Sequence, residues 1–220
     1  MTSALIVAAL ALSAPTVDVM VVGKERVLHT GEVRLKQRGV KVAGRRCRVG
    51  ARTPLSVLAG TRLRLRLRDY GRCSRRPRDA SGLYVRGVRR EVERGRAGWV
   101  YKVGRRAGTA GAGDPSVRGG RHVTWFWCVR AGDCQRTLEV RPERTAVAPG
   151  EALRVTVRGY DDLGRGVPVE GATVRLGTAT ALTGPDGTAT LVAGSRTGRV
   201  DLEAERDGMV PAFPRQVRVG

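Results

Sequence analysis

Residues 61–71 read TRLRLRLRDYG, with Arg62, Arg64, Arg66 and Arg68 alternating with Leu63, Leu65 and Leu67. A period of two is the pattern of a half-buried β-strand. The leucines are therefore expected to face a core and the arginines to form a like-charged row with a repeat of about 7 Å. Guanidinium groups meet phosphates and carboxylates in a planar, two-pronged geometry, so the chemistry on offer is capture of a polyanion. The competing reading is a solvated strand face with no partner. Arg72, Arg75, Arg76 and Arg78 follow in a basic loop at 71–82, and Arg105 and Arg106 follow the strand GWVYKVG.

The second set of interest is aromatic. Such residues make up only 4% of the chain, yet Trp99 and Tyr101 lie two apart in GWVYKVG, as do Trp125 and Trp127 in HVTWFWCV. In a strand each pair shares one face. Val100 and Lys102 share the other face of the first strand, where Lys102 is expected to reach water. That turns Trp99, Tyr101 and Val103 toward a core. Where such rings stay open, they offer a flat surface to a ring-bearing ligand such as a sugar.

Catalysis would call for an activated nucleophile, paired carboxylates or a metal. His122 has no serine or acid beside it in a recognisable motif, and Asp161 and Asp162 stand in a turn sequence, YDDLG. The four cysteines, Cys47, Cys73, Cys128 and Cys134, include no C-x-x-C pair, and His29 and His122 are not at zinc-ligand spacing. An even cysteine count suits two disulfides. CVRAGDC holds two cysteines around a glycine-containing turn, which favours Cys128–Cys134 and leaves Cys47–Cys73. The chain-entropy model assigns these loops about 2.5 and about 3.5 kcal/mol.

The elements that position these residues are mostly strands. TVDVMVV (16–22), GEVRLKQRGVKV (31–42, a hairpin or one bent strand), LYVRGVRREVE (83–93) and the two aromatic stretches read as β. One short helix is expected after Thr53, with that residue as N-cap, Pro54 at the first position, Leu55 and Leu58 inward and Gly60 at the end. Residues 105–121, rich in glycine, lack the G-K-[ST] ending of a phosphate-binding loop and read as a flexible surface loop. TLEVRP (137–142) leads out of this half. Beyond it come short strands broken by Pro-Gly and Gly, including an expected hairpin in TALTGPDGTATLVAG with Pro185, Asp186 and Gly187 as its turn. That spacing suggests a β-sandwich.

Charge divides the chain at the same place. The formal net charge is +21, and residues 1–142 hold 31 basic and 10 acidic residues against ten of each beyond Pro142. Such asymmetry points to an acidic partner for the first half. The alternative is compositional: only four of the 41 basic residues are lysine, as a GC-rich coding sequence would write. Residues 4–14 form an 11-residue apolar run, too short to span a bilayer and suited to a signal-peptide core. Cleavage is expected after Ser13, although no Lys or Arg precedes the run.

The motifs also carry two resemblances. APGEALRVTV, VPVEGATVRL and TGPDGTATL resemble bacterial immunoglobulin-like and carboxypeptidase-regulatory-like repeats, the last close to their T-x-x-D-G-x-A turn. The resemblance implies a spacer or adhesive sandwich. TPLSVLAG, SGLYVRGV, GWVYKVG and GGRHVTWFW, in that order, resemble a bacterial domain of unknown function similar to the C-terminal domain of transcobalamin and intrinsic factor. It implies a small sheet with one short helix, and cobalamin by analogy alone. Gly104-Arg105 stands where that family has Asn-Gly, and Arg121 where it has an acidic residue.

Together these readings give a mostly β chain: a signal peptide (1–13), a small basic α+β domain with two disulfides (14–142) and an Ig-like β-sandwich (143–220). The expected role is that of a secreted or cell-surface, non-enzymatic binding or scaffold protein whose basic domain contacts an anionic polymer or another cell-envelope component. The alternatives are a small-ligand binder, for a corrinoid or a sugar, using Trp99, Tyr101, Trp125 and Trp127, and an accessory module of an extracellular hydrolase. No cofactor and no membrane-spanning segment are expected.

Overall fold

The computed structural model describes residues 14–108, 111–114 and 116–220. The expected signal peptide, residues 1–13, lies outside them. The fold is mostly β, with several sheets and one α-helix among the described residues. No helix among them is long and apolar enough to cross a membrane.

The first half runs β1 (Thr16–Val22), β2 (Val27–Arg34), β3 (Arg38–Val42), β4 (Arg45–Val49), α1 (Pro54–Gly60), β5 (Leu65–Asp69), β6 (Leu83–Val88), β7 (Glu91–Val92), β8 (Gly98–Val103), β9 (Arg106–Ala107) and β10 (Val123–Cys128). Its main sheet has the order β2-β1-β10-β8-β9, with β1 and β10 parallel and the other pairs antiparallel. Trp125 pairs with Tyr101 and Trp127 with Trp99 in the β10–β8 register, so the two aromatic pairs share one sheet. Val17, Val19, Val21 and these four aromatics enter the first core. There α1 lies against the sheet. The Thr53 hydroxyl accepts the Ser56 N–H at 3.0 Å, Pro54 opens the helix, and Leu55 and Leu58 are fully buried. The Trp125 indole N–H donates to the Pro54 carbonyl at 3.1 Å and ties the helix start to the sheet.

The β3–β4 hairpin and the β5-β6-β7 sheet close the other side of this core. Residues 31–42 are thus neither a single hairpin nor one strand: β2 pairs with β1 and β3 with β4. The reversal falls at Ala43 and Gly44, with φ of 46° and 82°, the left-handed pair that a two-residue hairpin turn requires. Cys47 on β4 is bonded to Cys73, and Cys128 to Cys134, the pairing expected. The glycine-rich stretch corrects its reading as a free surface loop. Ala112 and Val117 are buried, the Leu55 N–H donates to the Ala112 carbonyl at 2.8 Å, and the Val117 N–H donates to the Arg52 carbonyl at 3.0 Å. A Cβ at Gly113 would stand 2.0 Å from the Ala80 carbonyl oxygen. That glycine serves close backbone approach, not flexibility.

The second half runs β11 (Thr137–Pro142), β12 (Ala146–Val147), β13 (Ala152–Tyr160), β14 (Gly166–Pro168), β15 (Thr173–Leu176), β16 (Ala179–Leu182), β17 (Thr188–Val192), β18 (Gly198–Glu205) and β19 (Arg215–Val219). One sheet holds β11, β13, β14 and β17 around β13; the other has the order β12-β19-β18-β15-β16. Leu153, Val155 and Val157 from the first sheet meet Val174, Leu202 and Val217 from the second in a separate core. The stretch TLEVRP is a full member of this half, since β11 pairs with β13 and buries Leu138 and Val140 there. TALTGPDGTATLVAG is not a hairpin. The turn exists, with the Gly187 N–H donating to the Gly184 carbonyl at 2.9 Å, but β16 pairs with β15 and β17 with β13. The chain crosses between sheets because turn residues set where it reverses, not which strand it joins next.

Every residue of β10 is buried, because the second face of the main sheet is covered as well. Met20, Val22, Phe126 and Cys128 pack there with Val210 and Phe213 from the second half. In the middle of this seam lies Lys102. The expectation that it reaches water is wrong: its side chain is 0% exposed. The ammonium donates to the carbonyls of Tyr160 and Asp161, both at 2.9 Å, and to the Thr137 hydroxyl at 3.4 Å, with Asp162 Oδ1 at 3.4 Å. Three donors thus meet oxygen acceptors supplied entirely by the second half. Lys102→Met should lower stability by about 3 kcal/mol, since it strands buried carbonyls. It should also split one unfolding transition into two by uncoupling the halves. Calorimetry of the full chain checks this; an unchanged single transition would show that the ammonium holds nothing.

Candidate functional site

The outer layer of the first half is the candidate site. Arg66 and Arg68 alternate with half-buried Leu65 and Leu67, and both arginines are exposed. Arg64 leads into the strand on the same side. Arg62 does not belong to the row: with φ of 60° it sits in the turn before β5. The leucines are less buried than expected, because β5 lies at the margin of the core, with a bulge after Arg66.

A loop below β5 adds more charge, and its position has a cause. The Asp69 carboxylate, nearly enclosed, accepts the N–H groups of Gly71 and Cys73 and a guanidinium N–H of Arg45, each at 3.0 Å. The disulfide from Cys73 to Cys47 and the Arg48 N–H bond to the Ser74 carbonyl, 2.8 Å, then hold the loop against β4. Arg72, Arg75, Arg76 and Arg78, all exposed, are thereby gathered beside Arg46 and Arg48. These last two, with Lys41, occupy the outward face of the β3–β4 hairpin. The sequence reading missed them because Ala43-Gly44 carries the glycine of a two-residue turn without the Asn, Asp or Gly that usually precedes it.

The carboxylates of this layer are already engaged. Asp69 serves the loop, Asp79 accepts the Ser74 hydroxyl at 2.6 Å and lies 3.8 Å from Arg78, and Glu93 pairs with Arg86 at 2.7 Å. Arg62, Arg64, Arg66, Arg68, Arg72, Arg75, Arg76 and Arg106 have no ion-pair partner among the described residues. Arg105 departs from that set. Its guanidinium donates to both oxygens of Glu139, at 2.7 and 2.9 Å, and stacks 4.5 Å from the Tyr160 ring centre. It is committed to the seam, and Glu139 matches its charge.

Trp99, Tyr101, Trp125 and Trp127 are all buried. Trp99 meets Trp127 edge-on with ring centres 6.0 Å apart, and Tyr101 lies 5.2 Å from Trp125. The Trp99 indole N–H donates to the Glu91 carbonyl at 3.0 Å. Burial pushes the Tyr101 phenol up, with Asp114 acting in the same direction and a hydrogen bond to Ser116 against it. Beside these rings lies a largely apolar cavity of 320 Å³ lined by Trp99, Tyr101, Trp125, Val85 and Ala112. That is the low end of the range for small-molecule pockets, about 300–1,000 Å³, and a corrinoid exceeds it. No group of three metal-ligating side chains occurs among the described residues.

The seam holds the other titratable group of note. His122 packs 4.8 Å from the Phe213 ring, next to a void of only 20 Å³. Burial, then Arg215, pushes its imidazole below the ordinary 6.5, against weaker pulls from Glu139 and Asp18. A lowered folded-state value means that the unfolded chain takes the proton first as pH falls. Stability is therefore present above 6.5 and lost on acidification through the lower value. Between about pH 7 and about pH 5 the native protein should lose more stability than its His122→Gln variant. Parallel urea titrations of the two check this, and equal losses would refute it.

No protein-family model matches the chain, and no curated protein matches it at a significant level.

Proposed function

We propose that this chain is a secreted or cell-surface, non-enzymatic binding protein whose first half captures an anionic polymer through its arginine-rich outer layer. The observation that carries the reading is unmatched charge: eight of the ten arginines singled out have no ion-pair partner among the described residues, and the carboxylates around them have other work. Guanidinium groups on a strand and on a disulfide-anchored loop are pre-ordered, which lowers the cost of binding. The partner is an extended polyphosphate or polycarboxylate of the cell exterior. The second half, neutral and built of two facing sheets, is a spacer of Ig-like type. The order of helix, aromatic strand and closing strand in the first half supports the resemblance to the bacterial domain of unknown function that is similar to the transcobalamin C-terminal domain. A second reading, small-ligand binding, draws on the 320 Å³ cavity and its aromatic wall.

The test is salt-dependent binding of inorganic polyphosphate to the full chain. Each arginine–phosphate contact contributes about one unit to the slope of log affinity against log salt. Arg66→Ser with Arg68→Ser should weaken binding at least about tenfold and reduce that slope by about 2, with the circular dichroism spectrum unchanged. Affinity that ignores salt, or ignores the double substitution, overturns the reading.

A further inference from the structure

The chain has nine aromatic residues, three Trp, four Tyr and two Phe. Two of them are exposed, Tyr70 at 66% and Tyr84 at 37%, and the rest are buried or half-buried. Both exposed rings lie on the arginine face. Tyr70 continues the phase of Arg66 and Arg68 by two residues, and Tyr84 on β6 stands directly opposite Arg68 in the β5–β6 register. Their ring centres are 6.1 Å apart at an interplanar angle of 66°. The Arg68 guanidinium sits 4.7 Å from the centre of the Tyr70 ring. Burial, and then the neighbouring Glu93, push the Tyr84 phenol up.

A purely electrostatic polyanion site has no use for a phenol ring left open to water beside its cations. A ring stacked with a guanidinium, in line with a row of cations, is what an unpaired base with its phosphates requires. Duplex DNA keeps its bases paired and stacked inside, where no base face is open to a tyrosine ring on a sheet surface, whereas a single strand offers every base face for stacking. We infer that the β5–β6 face binds single-stranded nucleic acid, with phosphates along Arg64, Arg66 and Arg68 and a base stacked on Tyr70. This rests on the reading of the arginine layer as a polyanion site and adds the class of polymer.

The experiment measures binding of labelled oligo(dT), a duplex of equal charge, heparin and inorganic polyphosphate to the full chain by fluorescence anisotropy. Oligo(dT) should bind more tightly than the other three. Tyr70→Ala should weaken oligo(dT) about tenfold while leaving polyphosphate affinity and the salt slope as in the native protein, and Tyr70→Trp should restore it. Tyr70 is exposed at a strand end, so its removal leaves the core intact. An unchanged oligo(dT) affinity in Tyr70→Ala overturns the inference. So does an equal loss for polyphosphate, or heparin binding as tightly as oligo(dT), which marks an acidic polysaccharide site. Failure of the arginine layer itself reads out separately, as polyphosphate binding that Arg66→Ser with Arg68→Ser does not alter.

Discussion

A single buried ammonium sets the arrangement of this molecule. Moving a lysine charge out of water costs several kcal/mol even after relaxation, and here burial pushes the Lys102 pKa below its ordinary value, against the pull of Asp162. The charge is held because the turn after β13 delivers two backbone carbonyls and a carboxylate to one point, and Thr137 adds a hydroxyl. None of these groups belongs to the first half. Seating the second half on the main sheet takes Lys102 out of water, so the two halves can dock only in the arrangement that brings these acceptors to the ammonium. The salt bridge from Arg105 to Glu139 and the packing of Phe126 against Val210 then follow as parts of the same contact.

That seating decides which surface is free. The layers run from the arginine face through the first core to the main sheet, and then across the seam to the two sheets of the second half. With one face of the main sheet given to the core and the other to the seam, the aromatic strands are removed from solvent on both sides. The outer strands β3–β6 are left as the exposed wall. The exposed arginines of β5 and of the loop after it lie on this wall, away from the seam, while the covering half carries balanced charge. A positive second half would have met the first in mutual repulsion across the seam.

Much of this was legible in the sequence, for physical reasons that differ by element. The Thr53-Pro54 helix start, the turn-closed Cys128–Cys134 pair and the facing aromatic strands are local or period-two signals, and short-range chemistry decides them. Lys102 was misread because alternation reports which residues share a face, not what covers that face. At Pro185-Asp186-Gly187 the turn was legible but the hairpin was not, for a related reason: pairing partners are chosen by the sheet, at long range. Tyr70 was readable in principle, being in phase with Arg66 and Arg68, but its exposure depends on β5 lying at the edge of the core.

The arginine layer also bears on stability. Like charges about 7 Å apart along a strand repel one another, and a net charge of +21 opposes the compact state. The Cys47–Cys73 link acts against that cost, contributing about 3.5 kcal/mol by restricting the unfolded chain. Asp69 acts locally, turning its carboxylate inward to hold the loop instead of outward to neutralise it. A carboxylate placed among the arginines would have relieved the repulsion and filled the site. The structure keeps the repulsion and offsets it with a covalent tie, so an anionic partner that binds the native face also removes a stress on the fold. Binding and folding are then coupled, and any polyanion that engages this face raises the stability of the first half by mass action.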